Sequence, residues 1–411
     1  MELSCEESCC SAGNNQAAEQ AGITQHSWHM DISNTAKLAQ KLVRIPSVTP
    51  NDNGCQEIVK DILKPLGFTC YTIEEQGTTN LLALHGHGAP FTLFLGHTDV
   101  VPTGDESAWE HPPFCGDIIE YDGEPYLYGR GSSDMKGGDA AMIMAMHEYI
   151  SANQNHRGTI GLLLTSNEEG DAVGGTPYVI DYMQQRHMIP DYCIIGECSC
   201  DNVFGDSIKN GRRGDLNATI VVKGIQGHAA LEQYAKNSVF EASRFINLML
   251  ENPIDNGTAF FPPTSFQVSN IKAGTGADNV IPGSCTLRCN FRWNDLQTPE
   301  SIEQHVRCIA KQADIDCEME FREEGKPFLT KDGKLIDALY HAIEEVTGLS
   351  PDLGTSGGTS DGRFVRPLGT ETVEFGPISS RIHKVDERVS VKDLDALTSI
   401  YVKALHELMD K

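Results

Sequence analysis

The chain has 411 residues and a formal net charge of −26, with 58 acidic side chains against 32 basic ones. That balance argues against nucleic acid or an anionic membrane surface as a partner, since both favour basic patches. No apolar stretch approaches the roughly 20 residues of a membrane helix, and a hydrophobic fraction of 39% is that of an ordinary globular chain, long enough for more than one domain.

Residues 1–29 are polar and rich in small side chains, and carry Cys5, Cys9 and Cys10. They lack the basic start and apolar core of a secretory signal, so a disordered extension is expected, with Met30 as an alternative start. Positions 35–43 read as a helix, with Leu38 and Leu42 one turn apart. A strand follows at 91–95, an Ala- and Met-rich helix at 139–150, a strand at 160–165, a helix at 177–186 and a buried strand at 193–196. Such alternation predicts a largely parallel sheet covered by helices. The rhythm then changes to strand 217–223, helix 237–250, strands 265–271 and 285–292, helix 299–313 and strand 316–321. This is the β-α-β-β-α-β order of the ferredoxin-like motif, with Thr298 placed to cap the helix that Pro299 opens. A helix at 334–346, a strand at 371–375 and a closing helix at 392–409, begun by Ser390 and Asp393, restore the first pattern. The expected fold is α/β. A discontinuous catalytic domain (30–213 and 326–411) holds a mixed, largely parallel sheet, and a ferredoxin-like lid or dimerisation domain (214–325) is inserted in it. The thirteen cysteines are odd in number and include no CxxC pair, which suits reduced thiols and a cytoplasmic location.

Metal-type ligands stand at the ends of the apolar runs. His97 and Asp99 follow the 91–95 strand. Asp134 sits in the Gly-rich turn Gly129-Arg130-Gly131-Ser132-Ser133-Asp134. Glu168 and Glu169 follow the 160–165 strand, Glu197 follows Ile195-Gly196, and His383 lies near the C-terminus. Each has a bland alternative: a buried structural His–Asp pair, a helix-capping Asp, a solvated acidic loop. In a parallel sheet, however, all strand C-termini open on one edge. Two histidines and several carboxylates collected there suit a pair of borderline divalent cations and hydrolytic chemistry. Asp99, two residues from His97, is placed to orient its ring. Cys198 and Cys200 beside Glu197 offer a less favoured thiolate reading.

The runs Gly96-His97-Thr98-Asp99-Val100-Val101-Pro102, Gly129-Arg130-Gly131, Asp134-Met135-Lys136-Gly137, Thr165-Ser166-Asn167-Glu168-Glu169 and Gly196-Glu197 resemble the co-catalytic zinc aminoacylase/carboxypeptidase family, from about residue 31 onward. The resemblance implies a zinc-peptidase-like catalytic domain with two Zn2+ per subunit, Co2+ being a substitute. One cation would take His97, Asp134 and Glu197, the other Asp134, Glu169 and His383. Asp99 would orient His97 and Glu168 would be the general acid/base. His228, supplied by the partner in a homodimer, would stabilise the oxyanion.

A second set of runs, including Arg212-Arg213-Gly214, Gly227-His228, Asn279-Val280-Ile281-Pro282, Asn290-Phe291-Arg292 and Gly357-Gly358-Thr359-Ser360-Asp361, resembles a narrower branch of that family, and this resemblance implies an N-acyl amino-acid substrate whose acyl group is succinyl. Arginine forks match its distal carboxylate, so Arg212 and Arg292 are the expected binders, with Asn279 and Thr359 as neutral helpers. Deacetylation of an N-acetyl amino acid, dipeptide hydrolysis and a non-catalytic binding role are the alternatives. Asp215, Leu231 with Glu232, and Ser379 depart from the pattern near the expected pocket. Asp215 is expected to meet an ammonium group or Arg212.

Overall fold

The computed structural model describes residues 32–410; the expected extension at 1–29 lies outside them. Numbering the principal strands in chain order, β1 (Thr69–Glu75), β2 (Thr78–His87), β3 (Phe91–His97), β4 (Gly158–Thr165), β5 (Tyr192–Ile195) and β6 (Ser207–Lys209) come first. Next are β7 (Gly214–Lys223), β8 (Ser265–Ala273), β9 (Ser284–Trp293) and β10 (Asp316–Gly325), then β11 (Asp352–Gly354) and β12 (Glu371–Glu374). The principal helices are α1 (Asn34–Val43), α2 (Cys55–Leu63), α3 (Lys136–Ala152), α4 (Thr176–Gln185), α5 (Ser238–Glu251), α6 (Pro299–Gln312), α7 (Lys334–Thr347) and α8 (Val391–Met409).

The large sheet has the order β1-β2-β4-β3-β5-β12-β6-β11. Its centre, β4-β3-β5-β12, is all parallel. β1 and β2 join antiparallel at one edge. Every residue of β3 and β4 is buried, as expected where both faces of a sheet are covered. Side chains alternate between two cores. Leu93, Leu95 and Leu163 pack with Val179 and Met183 of α4. Phe94, Leu162 and Leu164 pack with Met142 and Met146 of α3 and with Leu397 and Tyr401 of α8.

The inserted strands form their own antiparallel sheet, β8-β9-β7-β10. The inward-facing residues of β7 (Leu216, Ala218, Ile220, Val222) close a separate core with Phe245 of α5 and Ile302, Val306 and Ile309 of α6. Thr298 accepts the Ser301 N–H at 3.2 Å in a full capping box, and Ser390 likewise caps α8 through Asp393. Sequence periodicity did not reveal β1, β2, α2 or the three-residue β6 and β11. β1 is half-exposed along its length, and three residues are too short to display a period. Every described cysteine is a free thiol, and no helix among the described residues is long and apolar enough to cross a membrane.

Candidate metal centre

In the parallel register His97 lies opposite Thr165 and Leu95 opposite Ile195, so β3, β4 and β5 end together. His97 is the last residue of β3. β4 hands over to Asn167-Glu168-Glu169 and β5 to Gly196-Glu197. Asp134 arrives from the turn before α3, and His383 from the loop after the short Ser379–Arg381 turn.

The Nδ1–H of His97 donates to the backbone carbonyl of Asp99 at 3.0 Å, which makes Nε2 the lone-pair nitrogen of the neutral ring. That nitrogen lies 3.3 Å from Asp134 Oδ1 and 3.3 Å from Glu197 Oε1. The other oxygen of Asp134 lies 3.3 Å from His383 Nε2, and Glu169 Oε1 lies 2.9 Å from the same nitrogen. Asp134 thus offers one oxygen to each histidine. His97 Nε2 and Asp134 Oδ1 are buried without a hydrogen-bond partner, a costly state for polar atoms that a shared cation relieves. Ligand atoms of His97, Asp134 and Glu169 lie within 4.8 Å of one another, as do those of His97, Glu168 and Glu197.

Electrostatics follow from this crowding. Burial opposes the charged His97 ring, but the carboxylates of Asp134, Glu197 and Asp99 outweigh it and hold its pKa well above the usual histidine range. Asp134, then Glu169, push His383 up to about 10. Burial, then the charge of Asp134, raises Glu197 to about 7. Burial lifts Glu168 well above the carboxylate range, with Asp361, Glu197 and Glu169 adding to it against the pull of His97. Cys198 is no thiolate: burial pushes it far up, and its Sγ–H donates to the Ser133 carbonyl at 3.1 Å.

Asp99 meets the His97 ring and has a second set of bonds besides. Its carboxylate stands 3.5 Å from His97 Nδ1, while the ring bonds to its backbone carbonyl. The carboxylate instead accepts the N–H groups of Glu168 (3.2 Å) and Glu169 (3.1 Å), so it sets the turn that presents both glutamates.

A cavity of about 330 Å³ opens over the cluster, with Arg212, Thr359 and Ser379 in its wall. The fork of Arg212 is already filled. It donates from Nε and Nη2 to the buried Glu374, and from Nη1 to the Ser356 carbonyl at 2.6 Å. Arg212 is therefore a wall of the cavity rather than an open carboxylate binder. Glu374, its partner 162 positions away, carried no local signal in the sequence. Arg292 reaches Thr359 Oγ1 at 3.4 Å and pairs with Asp215 at 3.1 Å. Asp215 thus meets Arg292 rather than Arg212. His228 and Asn279 do not line the cavity. They lie together on the inserted segment, where the Ala229 N–H donates to the Asn279 carbonyl at 2.9 Å. His228 is exposed, as are Leu231 and Glu232.

A buried histidine and a more open one sharing a buried carboxylate at the C-terminal edge of a parallel sheet define a metal-dependent hydrolase. The chain belongs to Peptidase family M20/M25/M40, whose sequence pattern it matches over residues 93–407. It is 47% identical over 379 residues to the succinyl-diaminopimelate desuccinylase of Hydrogenovibrio crunogenus, covering 92% of this chain and 100% of that one. It is 46% identical to the enzyme of the same name from Marinobacter nauticus, with the same coverage. Its fold matches the metallo-carboxypeptidase Sso-CP2 of Sulfolobus solfataricus at TM-score 0.73 and 18% identity, covering 92% and 99% of the two chains. It also matches the Bacillus subtilis YXEP protein, described as a dinuclear metal binding peptidase, at TM-score 0.66 and 15% identity over 90% and 96%.

Proposed function

We propose that this chain hydrolyses N-succinyl-LL-2,6-diaminopimelate to succinate and LL-2,6-diaminopimelate in the cytoplasm, as a homodimer carrying two zinc ions per subunit, with cobalt able to replace them. The observation that carries the chemistry is the division of Asp134 between His97 and His383. Together with Glu197 on one side and Glu169 on the other, it gives two three-residue ligand sets sharing one carboxylate. The two cations, when bound, supply Lewis-acid polarisation of the amide carbonyl and a water acidified toward neutral pH.

The remaining work falls to side chains. Glu168 takes a proton from the attacking water and delivers it to the leaving amine nitrogen as the C–N bond breaks. Asp99 holds the turn that aims it. His228 accepts the Ala230 N–H at Nδ1 (3.0 Å), so its neutral ring carries the proton at Nε2, the donor an oxyanion requires. We assign it to the neighbouring subunit's site. β8 is an edge strand of its sheet and carries the exposed Ile271 (59%), and α5 exposes Phe240 (71%) and Leu250 (66%), apolar groups of the kind a second copy covers. Arg292 and Thr359, with Asn279 from the same inserted segment as His228, are assigned to the succinyl carboxylate.

The test is turnover of N-succinyl-LL-diaminopimelate beside N-acetylornithine by zinc-loaded protein and by Glu168→Ala. Succinate release lost in the variant supports the proposal. Cleavage of the acetyl substrate alone would replace it with a deacetylase.

A further inference from the structure

Two stretches of chain are laced together just behind the cluster. Residues Glu124–Tyr128 pair antiparallel with Arg388–Ser390, Tyr128 opposite Arg388. Past that ladder, side chains take over. Glu387 is fully buried, and its Oε1 accepts the N–H groups of Ser133 (3.0 Å) and Asp134 (3.1 Å). Its Oε2 accepts from Arg130 Nη1 at 2.6 Å. The same nitrogen donates to the backbone carbonyl of Lys384 at 3.1 Å, across 254 positions. One buried ion pair therefore grips the backbone at Asp134 and at the residue after His383.

The His383 loop needs such a grip. His383 and Asp386 sit at φ 60 and φ 57, a left-handed region that side chains adopt only where the surroundings hold them. Asp386 is fixed by the Tyr128 hydroxyl (2.5 Å) and the Glu110 N–H (2.9 Å). Nearer to His383, Arg130 supplies the bond to Lys384. His97 and Glu197, by contrast, stand at the ends of β3 and β5 and owe their positions to the sheet.

We propose that the Arg130–Glu387 pair is a positioning device that acts chiefly on one of the two cations. It sets the gap between Asp134 Oδ2 and His383 Nε2, because it holds both ends of that gap, whereas it reaches the His97 set only through the shared Asp134. This rests on the ligand assignment given above.

The test is stepwise Co2+ binding, followed by visible absorption in competition with a chelator, for the full-length protein, Glu387→Gln and Arg130→Lys. Glutamine keeps an oxygen for the two N–H groups but turns an amide toward Arg130. Lysine keeps the charge but has no fork to span Glu387 and the Lys384 carbonyl. The expected result is one step loosened about 10–100-fold and the other within about threefold of the parent. Turnover lost at low metal should return with excess metal. Wild-type constants at both steps in either folded variant, or equal loosening of both, would overturn the proposal, even with a lowered melting midpoint. If one variant fails to fold, the other decides. A parent protein that binds only one cation would sink the two-cation assignment itself, and the positioning role with it.

Discussion

His97 and His228 are both histidines that the proposed chemistry requires, and the fold treats them in opposite ways. His97 is 1% exposed, its tautomer set by a backbone carbonyl and its free nitrogen ringed by carboxylates. His228 lies exposed on a two-residue ladder of the inserted segment, away from the cavity. The first region is assembled by the sheet before anything binds. In the second, His228 Nδ1 accepts the Ala230 N–H and the side chain is no part of the cavity wall. The metal-type ligands are thus preorganised within one chain, while the residue proposed to meet the reacting carbonyl is held on an exposed ladder of the inserted segment.

The sharpest break in that contrast is Glu168→Ala. It should cost about 10²–10⁴ in kcat while bound metal, counted by elemental analysis, stays at the parent level. Loss of metal instead would make Glu168 a ligand. His228→Ala should cost about 10²–10³ in kcat, again with full metal content. Asp99→Ala removes the acceptor of two N–H groups in the glutamate turn. It should weaken metal binding about 10–100-fold, read by chelator competition, and an unchanged affinity would confine Asp99 to structure.

The preorganised side also carries a proton cost. In the metal-free protein the pKa of His383 is raised to about 10 by Asp134 and Glu169, so its ring is charged at neutral pH, and the carboxylates around His97 shift it in the same direction. A cation must displace the His383 proton, so apparent affinity should rise with pH toward 10. Calorimetry near pH 7.5 in two buffers of different ionisation enthalpy should register net proton release; none would contradict the coupling. The same sign governs the metal-free fold. The contribution of His383 to stability is full below the unfolded histidine value of about 6.5 and fades as pH rises through about 10. The smallest effect is Thr298→Ala in the α6 cap. It should lower stability by about 1 kcal/mol in denaturant melts and leave kcat unchanged, because the inserted core is separate from the cluster.

Legibility followed the range of the cause. His97, Glu168, Glu169 and Glu197 were readable because each ends an apolar run whose burial is a local pattern. The caps at Thr298 and Ser390 were readable because a cap is written within four residues. The Arg212–Glu374 and Arg130–Glu387 pairs join positions 162 and 257 apart, and nothing near either member announces its partner. Arg212 therefore looked like a free fork. Asp99 was found by its spacing from His97, yet its main acceptor role concerns a turn some 70 positions on.

The most direct test of the contrast is to mix Glu168→Ala subunits with His228→Ala subunits after reversible dissociation. Each parent variant should be nearly inactive. If His228 serves the neighbouring site, hybrids carry one site with both residues intact, and random pairing should restore about a quarter of full activity. A mixture no more active than its components would contradict the account and return His228 to its own chain.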